Sequence, residues 1–324
     1  MRLPILLTIL CAGPALAQSE LRVYVPDYFA SDWGPGPKIE ALFEQSCDCD
    51  VIYETGDLVP RLMLEGAQSR ADVVLGLNSD QMKQARASGA LAPHGVDLSA
   101  LTLPIAYTDE VFVPFDYGHV AFMYNTDRFD AAPASLEALA ALPDDVRIAL
   151  NDPRSSSSGL AMALWIDAVY GEAAQEFWAG LAPKIETVTG GWSEGYGLFT
   201  EGQVDIALSF TTSPAYHIVA EGDETKRAMI FEEGHYLYLE LAALGANAAQ
   251  PELAREFLSF LTSRPFQEII AEANWSLPAA LERSAWPEAF QALPWPETVH
   301  YYDEETAHAR RDQAIEAWRA GLSQ

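Results

Sequence analysis

Four large aromatic side chains stand in segments rich in glycine, proline and serine, away from any periodic helix face. They are Trp33, Trp192, Tyr216 and Trp275. A ring on a loop exposes much apolar area unless it covers something, and Trp and Tyr faces attract a flat cation with about 0.5–2 kcal/mol per ring. These positions therefore predict a site for a flat, positively charged molecule. Packing of each ring into its own domain is an equally good interpretation at any one position.

A run of four serines, residues 155–158, precedes Gly159 and an apolar segment that predicts a helix. Free N–H groups at a helix start, with hydroxyl groups beside them, suit a phosphate or a hydroxyl group of a ligand. Ordinary capping of the helix by serine is the alternative, and the serine run taken alone favours it.

One G-x-S-x-G match, residues 191–195, is compatible with an exported hydrolase that uses Ser193. A nucleophile elbow needs a buried strand before the serine and a helix after it. Residues 187–190 make a poor core strand and residues 195–197 a poor helix start, so we interpret the match as a glycine-rich loop. The six histidines show no metal-ligand spacing, and no pair of carboxylates stands out as acid and base. The sequence predicts a protein that is not an enzyme and has neither cofactor nor metal; a hydrolase using Ser193 or paired carboxylates is the alternative.

The N-terminus has the pattern of a secretory signal peptide. Arg2 is followed by the apolar run 3–12 and by Ala15-Leu16-Ala17. A charge, a short apolar core and an A-x-A site predict cleavage after Ala17, and the run is too short to span a bilayer. We therefore expect a soluble protein in the periplasm.

The charge of the chain restricts its partners. Its 47 acidic residues against 19 Lys and Arg give a formal charge of −28, which argues against nucleic acid and anionic membranes. The charge is compatible with a cationic ligand, although many exported proteins are acidic for solubility alone.

Cys47 and Cys49 are able to pair in an oxidising compartment. We treat them as structural, because two thiols without a neighbouring histidine make a poor metal site.

Strand-like and helix-like patterns alternate from residue 21 to residue 87 and again after Pro114, and the chain ends in a predicted helix near 304–322. This order predicts mostly parallel sheets flanked by helices, arranged in two lobes. Extended segments at 111–115 and 235–240 are predicted to connect the lobes, and ligands favour such domain interfaces. The predicted division is a first part of lobe 1 at 18–114, lobe 2 at 115–235, and a return to lobe 1 with C-terminal helices at 236–324.

Eight segments, in order along nearly the whole chain, resemble the periplasmic thiamine-binding proteins of bacterial ABC importers. These proteins belong to a class of solute-binding proteins that also includes ferric-ion and polyamine binders. One such segment would be weak, whereas eight in order are specific. The segments are SDWGPGP (31–37), ADVVLGL (71–77), DEVFVPFDYGHVAFMYN (109–125), NDPRSSSSGL (151–160), GGWSEGYGLF (190–199), LSFTTSPAYHI (208–218), EGHYLYLE (233–240) and ANWSLPAA (273–280).

The resemblance implies a type II, Venus-flytrap binding protein whose lobes close on thiamine and whose closed form docks on a membrane permease. We expect a monomer, and thiamine monophosphate and diphosphate are further candidate ligands. The alternative is a binder of the same fold for ferric ion or a polyamine.

The resemblance also assigns roles to individual residues. It implies that the four loop aromatics contact the ligand, that Ser156 contacts its polar tail, and that the Glu54 carboxylate offsets the cation or accepts from its amino group. The family has tyrosine where this chain has Pro26 and Phe210. Tyr28 or Tyr24 is a candidate to replace the first, and Phe210 keeps the ring without the hydroxyl, which leaves the contacts to phosphate esters open.

Overall fold

The computed structural model describes residues 18–129 and 131–323. The predicted signal peptide and its cleavage site lie outside these residues. In the described part of the chain, every helix is too short or too polar to cross a bilayer.

Within residues 18–129 and 131–323 the chain forms twelve strands and twelve α-helices. The strands are β1 (Ser19–Val25), β2 (Cys49–Thr55), β3 (Val73–Asn78), β4 (Leu91–Ala92), β5 (Phe112–Asn125), β6 (Ile148–Asn151), β7 (Ile185–Thr189), β8 (Ile206–Phe210), β9 (Lys226–Ala228), β10 (His235–Gly245), β11 (Leu277–Pro278) and β12 (Val299–His300). The helices are α1 (Gly36–Phe43), α2 (Leu58–Glu65), α3 (Met82–Ala87), α4 (Leu136–Ala140), α5 (Ser157–Tyr170), α6 (Ala174–Leu181), α7 (Trp192–Thr200), α8 (Ser213–Tyr216), α9 (Pro251–Leu261), α10 (Arg264–Asn274), α11 (Glu288–Gln291) and α12 (Glu304–Leu322).

The main path of the sheet runs β2-β1-β3-β10-β5-β8-β6-β7. In one lobe β2, β1 and β3 are parallel and β10 closes the set antiparallel. In the other lobe β8, β6 and β7 are parallel and β5 is antiparallel to β8. The predicted fold, two mostly parallel sheets flanked by helices, is therefore confirmed.

Two long antiparallel strands connect the lobes. Strand β5 pairs with β10 through its first half and with β8 through its second half, so that it belongs to both sheets. The register places Tyr238 opposite Gly118 and Glu240 opposite Asp116, and it shifts after Glu240 so that Leu241 faces Pro114. Because proline lacks an N–H for the ladder, a bulge at this point is expected, and bulges re-aim the neighbouring side chains.

Each sheet is covered by apolar clusters on both faces. In the first lobe one cluster contains Val23 and Phe257 and the other contains Val74 and Leu62, all buried. Helix α5, buried along most of its length, packs over the second lobe, and its Trp165 is fully buried in the apolar cluster there. The alternating order of strands and helices is therefore consistent with the burial of both faces that a parallel sheet requires.

The last helix, α12, has the bounds that the sequence predicts, but it contacts both lobes. Ala314 and Trp318 are buried in the cluster of the second lobe, against α5 and α6. At its start, Glu304 accepts from the guanidinium of Arg86 on α3 at 2.9 Å. The predicted lobe boundaries stay a prediction, and α12 packs on lobe 2 as well as on lobe 1.

The segment interpreted as a glycine-rich loop is helix α7, and strand β7 precedes it, so that interpretation was wrong. Strand β7 is at the edge of the sheet with only Thr189 buried, so it is not the buried strand of a nucleophile elbow. In helix α7, Tyr196 and Phe199 are buried, three residues apart on one face, against strands of the second lobe. The Glu194 carboxylate accepts from the N–H of Gly190 at 3.2 Å and lies in the first turn, where the helix dipole favours an acid. These contacts outweigh the roughly 1 kcal/mol by which each glycine disfavours a helix.

Cys47 and Cys49, which the sequence analysis treats as structural, form a disulfide.

Candidate functional site

Two adjoining cavities of about 330 and 310 Å³ lie in the cleft between the lobes. Volumes of this size are typical of small-molecule sites, which favour domain interfaces. Five residues line both cavities and form the border between them. They are Trp33, Trp192, Ser193, Ser213 and Trp275.

Trp33 stands on a tight turn at the edge of the cleft. The turn is held by hydrogen bonds from the N–H of Gly34 to the carbonyl of Ser31 and from the hydroxyl of Ser31 to the carbonyl of Tyr28. A Cβ atom at Gly34 would lie 2.1 Å from the Tyr28 carbonyl oxygen, so the turn requires glycine there. The Trp33 side chain is 63% exposed, which leaves its ring free to cover a ligand.

Trp192 begins α7 and is fixed by two contacts. Its ring stacks on that of Tyr196 with centroids 4.9 Å apart, and its Nε1 donates to the Ser209 hydroxyl at 3.0 Å. The ring is therefore held in one orientation beside the cleft, in contrast to that of Trp33.

A buried histidine supports this wall from behind. His217 Nε2 bonds the Tyr196 hydroxyl at 2.8 Å, and Nδ1 bonds the Glu221 carboxylate at 2.7 Å. Burial lowers the pKa of His217, although the Glu221 carboxylate opposes this shift. Glu221 lines the second cavity, so the wall presents a carboxylate as well as aromatic rings.

Trp275 and Tyr216 form a second aromatic pair in the cleft, and Tyr216 is the last residue of the short helix α8, whereas the sequence placed it on a loop. Their ring centroids are 5.3 Å apart at 79°, and Trp275 also lies parallel to the ring of Phe290. Trp275 follows the last residue of α10 with φ of 54°, a left-handed conformation that costs a residue with a side chain roughly 1–2 kcal/mol. The surrounding packing holds the ring there in spite of that cost.

The serine turn caps a helix and also lines the cleft. Ser156 caps α5 by accepting from the N–H of Gly159 at 3.2 Å, while all four serines line the first cavity. The Ser157 hydroxyl bonds that of Tyr238 at 2.9 Å, which connects α5 to the inter-lobe strand β10. A Cβ atom at Gly159 would lie 2.6 Å from the Asn151 carbonyl oxygen, so glycine allows the turn to sit directly on strand β6.

A polar cluster forms the floor of the first cavity. We call Tyr28, Asp116, Glu240 and Asn274 the floor cluster. The Tyr28 hydroxyl donates to Glu240 Oε1 at 2.7 Å, and Asn274 Nδ2 donates to Asp116 Oδ2 at 2.7 Å and to Glu240 Oε2 at 2.6 Å. Burial raises the pKa of both carboxyl groups, and their mutual repulsion raises that of Asp116 further.

Glu54 does not line either cavity. Its carboxylate forms ion pairs with Arg22, at 2.7 Å, and with Arg61. Asp57 lines the first cavity instead; it stands at the start of α2, and its side chain makes no capping hydrogen bond. The carboxylate that the resemblance places at Glu54 thus has a counterpart in the cleft three residues further along.

The positions where tyrosine was expected also line the first cavity. Pro26 and Phe210 both lie there, and the Phe210 ring is 5.2 Å from that of Tyr238. Tyr28 reaches the cleft, whereas Tyr24 is buried and bonds Glu65. Of the two candidates to replace the missing hydroxyl, Tyr28 is the one in the site.

Ser193 lies in the first turn of α7 and lines both cavities. Both ring nitrogens of His217 are already bonded, one to the Tyr196 hydroxyl and the other to the Glu221 carboxylate. In residues 18–129 and 131–323, no group of three or more His, Cys, Asp or Glu is arranged to hold a metal ion.

Sequence reasoning found the aromatic walls and the serine turn but missed Asp57, Glu240 and Asn274. Glu240 and Asn274 fall inside two of the segments that carry the family resemblance, EGHYLYLE and ANWSLPAA. The available signal was an acid in an otherwise apolar strand, His235–Gly245, which is buried along its length. A buried acid in a strand is rare unless it is paired, and it therefore marks a site.

Comparison with known proteins identifies the family of the chain. The family model described as bacterial extracellular solute-binding protein matches residues 39–295. The thiamine-binding periplasmic protein of Escherichia coli K12 is 43% identical, with 99% of this chain and 98% of that protein covered. The resemblance found in the sequence is confirmed.

Solved structures agree with this. One described as a periplasmic thiamin binding protein is 41% identical with a TM-score of 0.89, covering 94% of this chain and 96% of that chain. Iron-bound HitA from Pseudomonas aeruginosa, 19% identical, matches with a TM-score of 0.74 over 94% of this chain and 99% of that chain, and shares the fold alone. With the family model matching most of its length, this chain belongs to the bacterial extracellular solute-binding proteins.

Proposed function

We propose that this protein captures thiamine in the periplasm and delivers it to the permease of an ABC importer. The observation that carries the proposal is the 43% identity, over nearly the full length of both chains, to a protein named thiamine-binding. The chemistry of the cleft supports it independently.

Thiamine is a flat aminopyrimidine joined to a permanently cationic thiazolium, and the cleft offers matching groups. Trp33, Trp192, Tyr216 and Trp275 supply aromatic faces, which attract cations. The charged residues that line the two cavities are carboxylates, at Asp57, Glu221 and Glu240. A cation is therefore favoured in the cleft both by the rings and by the charge around them.

The serine turn is the proposed position of the polar tail. Ser156 and its neighbours line the first cavity at the start of α5, where helix N–H groups favour a hydroxyl or a phosphate. Thiamine monophosphate and diphosphate are thus proposed as further ligands. Phe210, beside this region, contributes its ring to the cavity without a hydroxyl.

The proposal extends to how the protein works. It catalyses nothing, acts as a monomer, and is exported with cleavage after Ala17. Strands β5 and β10, which join the lobes, act as the hinge on which the lobes close, and the closed form docks on the permease.

Thermal unfolding with and without ligands tests the assignment. A ligand that binds only the folded state stabilises it by about 2.7 kcal/mol at one hundred times its dissociation constant. Thiamine is expected to raise the melting temperature. Spermidine and ferric citrate, which represent the ligands of other binding proteins in the same fold class, are expected to leave it unchanged. Equal shifts with all three would refute thiamine as the ligand.

A further inference from the structure

The floor cluster contains two carboxyl groups that face each other across the hinge strands. Asp116 on β5 and Glu240 on β10 are cross-strand partners, and one nitrogen, Asn274 Nδ2, donates to both. The exposed fractions are 0% for Asp116 and 8% for Glu240. Two carboxylates held this close in a buried site do not both ionise, because each charge disfavours the other.

The donors around the pair also fit a single negative charge. Glu240 accepts from the Tyr28 hydroxyl and from Asn274, whereas Asp116 accepts from Asn274 alone. Asp116 Oδ1 is buried and has no hydrogen-bond partner among the described residues. A proton on Asp116 removes the cost of burying a second charge, and it gives the pair a donor directed between the two carboxyl groups.

Only one member of the pair reaches the cleft. Glu240 lines the first cavity, beside Trp275 and Asn274, while Asp116 lies behind it and does not line the cavity. A cation bound in this cavity therefore lies close to Glu240 and acts on Asp116 through it. An adjacent positive charge favours the ionised form of a carboxyl group, so binding works against the shared proton.

We propose that Asp116 and Glu240 share one proton in the free protein and that a bound cationic ligand expels this proton to solvent. Glu240 is the residue that senses the ligand's charge, and Asp116 is a positioning residue that holds the proton. This inference rests on the proposed function, because it takes the thiazolium of thiamine as the cation. The balance is simple: the O–H bond of one carboxyl group breaks, its electron pair stays on the carboxylate, and the proton leaves to buffer.

The other groups that face the pair do not titrate in the relevant range. Tyr28 from the first loop and Tyr238 from β10 are phenols whose pKa values are raised by burial, and Asn274 from α10 is a neutral amide. Asp80, whose pKa burial raises to about 7, accepts from the Tyr236 hydroxyl and is bonded to neither member of the pair. Asp80→Asn is therefore a further control, expected to release as many protons as the wild type. The pair is thus the group in the floor cluster that exchanges a proton when a cation arrives.

Isothermal titration calorimetry with thiamine at pH 6.5, in Pipes and in Bis-Tris, measures the protons released, because the two buffers differ in ionisation enthalpy. The wild-type protein is expected to release close to one proton for each thiamine bound. Its affinity is then expected to rise about tenfold per pH unit while the pair is protonated, since binding with proton release strengthens as pH rises. Glu268→Gln, in an exposed ion pair with Arg264 that lines neither cavity, is the matched control and is expected to release as many protons as the wild type.

Two variants separate the proposal from its rivals. Asp116→Asn keeps an acceptor for Asn274 and is expected to bind thiamine with no proton release and a flat pH dependence. Glu240→Gln is expected to lose both the proton release and at least tenfold in affinity, so the test stands even where one variant fails to fold. Undiminished proton release by Asp116→Asn, or thiamine binding by the wild type without proton release, would overturn the proposal. Absence of any thiamine binding by the wild type would instead overturn the proposed function.

Discussion

The floor cluster and the aromatic walls of the same cleft are built in opposite ways. Asp116 and Glu240 are buried on long strands and bonded to fixed donors, whereas Trp33 stands on a short turn with most of its side chain exposed. The floor is organised before a ligand arrives, so that little ordering is needed on binding. In the proposed binding mode the ligand orders the exposed ring, at a cost of about 0.5–1.5 kcal/mol for an immobilised side chain. A rigid part of the protein would then recognise the charge of the ligand, and an adjustable part would enclose its shape.

The largest expected effect comes from breaking the floor at Asn274. Asn274→Leu removes the nitrogen that donates to both carboxyl groups and leaves them buried without it. The expected loss is about 2–4 kcal/mol in the free energy of unfolding at pH 8, measured by urea denaturation of the ligand-free protein. Because burial and repulsion hold the pKa of Asp116 above its unfolded value, stability present at acidic pH is lost as pH rises through the folded pKa. The loss in the variant is therefore expected to be smaller at pH 5.

Asn247→Leu is the control, since Asn247 is exposed and its side chain donates to the carbonyl of Ala67 and not to a carboxyl group. It is expected to change the free energy of unfolding by at most about 1 kcal/mol, and equally at both pH values. An equal loss in both variants, or a loss in Asn274→Leu that grows toward pH 5, would contradict the role of Asn274 as the shared donor of two buried carboxyl groups.

The second expected effect separates the two kinds of aromatic ring. Trp33→Ala removes an exposed ring, so the ligand-free protein is expected to keep its free energy of unfolding within about 0.5 kcal/mol. Its affinity for thiamine is expected to fall by about 1–2 kcal/mol, or roughly five- to thirtyfold. Trp192→Leu is expected to lose a similar amount of affinity and also to destabilise the ligand-free protein, because Trp192 is bonded to Ser209 and stacked on Tyr196.

Thermal unfolding without ligand and calorimetry with thiamine give the two readouts for each variant. If Trp33→Ala binds thiamine with the same dissociation constant as the wild type, the Trp33 ring does not contact the ligand. An unchanged melting temperature in Trp192→Leu would show that its contacts in the wall contribute nothing to the fold.

The sequence revealed the adjustable part of the site more readily than the rigid part. Trp33 was recognised as a candidate site residue because a large aromatic side chain is unusual among the Gly, Pro and Ser of a turn. Glu240 was not recognised from the sequence, because its neighbours belong to a buried strand and its partner Asp116 lies 124 positions earlier in the chain. No local pattern encodes such a pairing, which depends on the register of β5 against β10.

The fold shows the same limit. A helix near 304–322 was predicted where α12 lies, and its capping Asp303 and first-turn acids are local signals of its start. Helix α7 was missed because local glycine content disfavours it, and the burial of Tyr196 and Phe199 that stabilises it is a tertiary effect.

The smallest expected effect compares two carboxylates that are three residues apart. Glu54 is paired with Arg22 and Arg61 outside the cavities, whereas Asp57 lines the first cavity. Glu54→Gln is expected to cost at most about 1 kcal/mol in the free energy of unfolding, the usual value of a partly exposed ion pair, and to leave thiamine affinity unchanged. Asp57→Asn is expected to leave stability unchanged and to lower thiamine affinity roughly two- to fivefold, an effect that added salt screens. Calorimetry at low and high salt distinguishes the two variants.

A neutral thiazole analogue of thiamine tests the role of charge directly. If Asp57 acts through its charge, the analogue binds the wild type and Asp57→Asn with equal affinity. A loss of thiamine affinity in Glu54→Gln, with none in Asp57→Asn, would return the role to Glu54 and mean that the lobes rearrange around that strand when ligand binds.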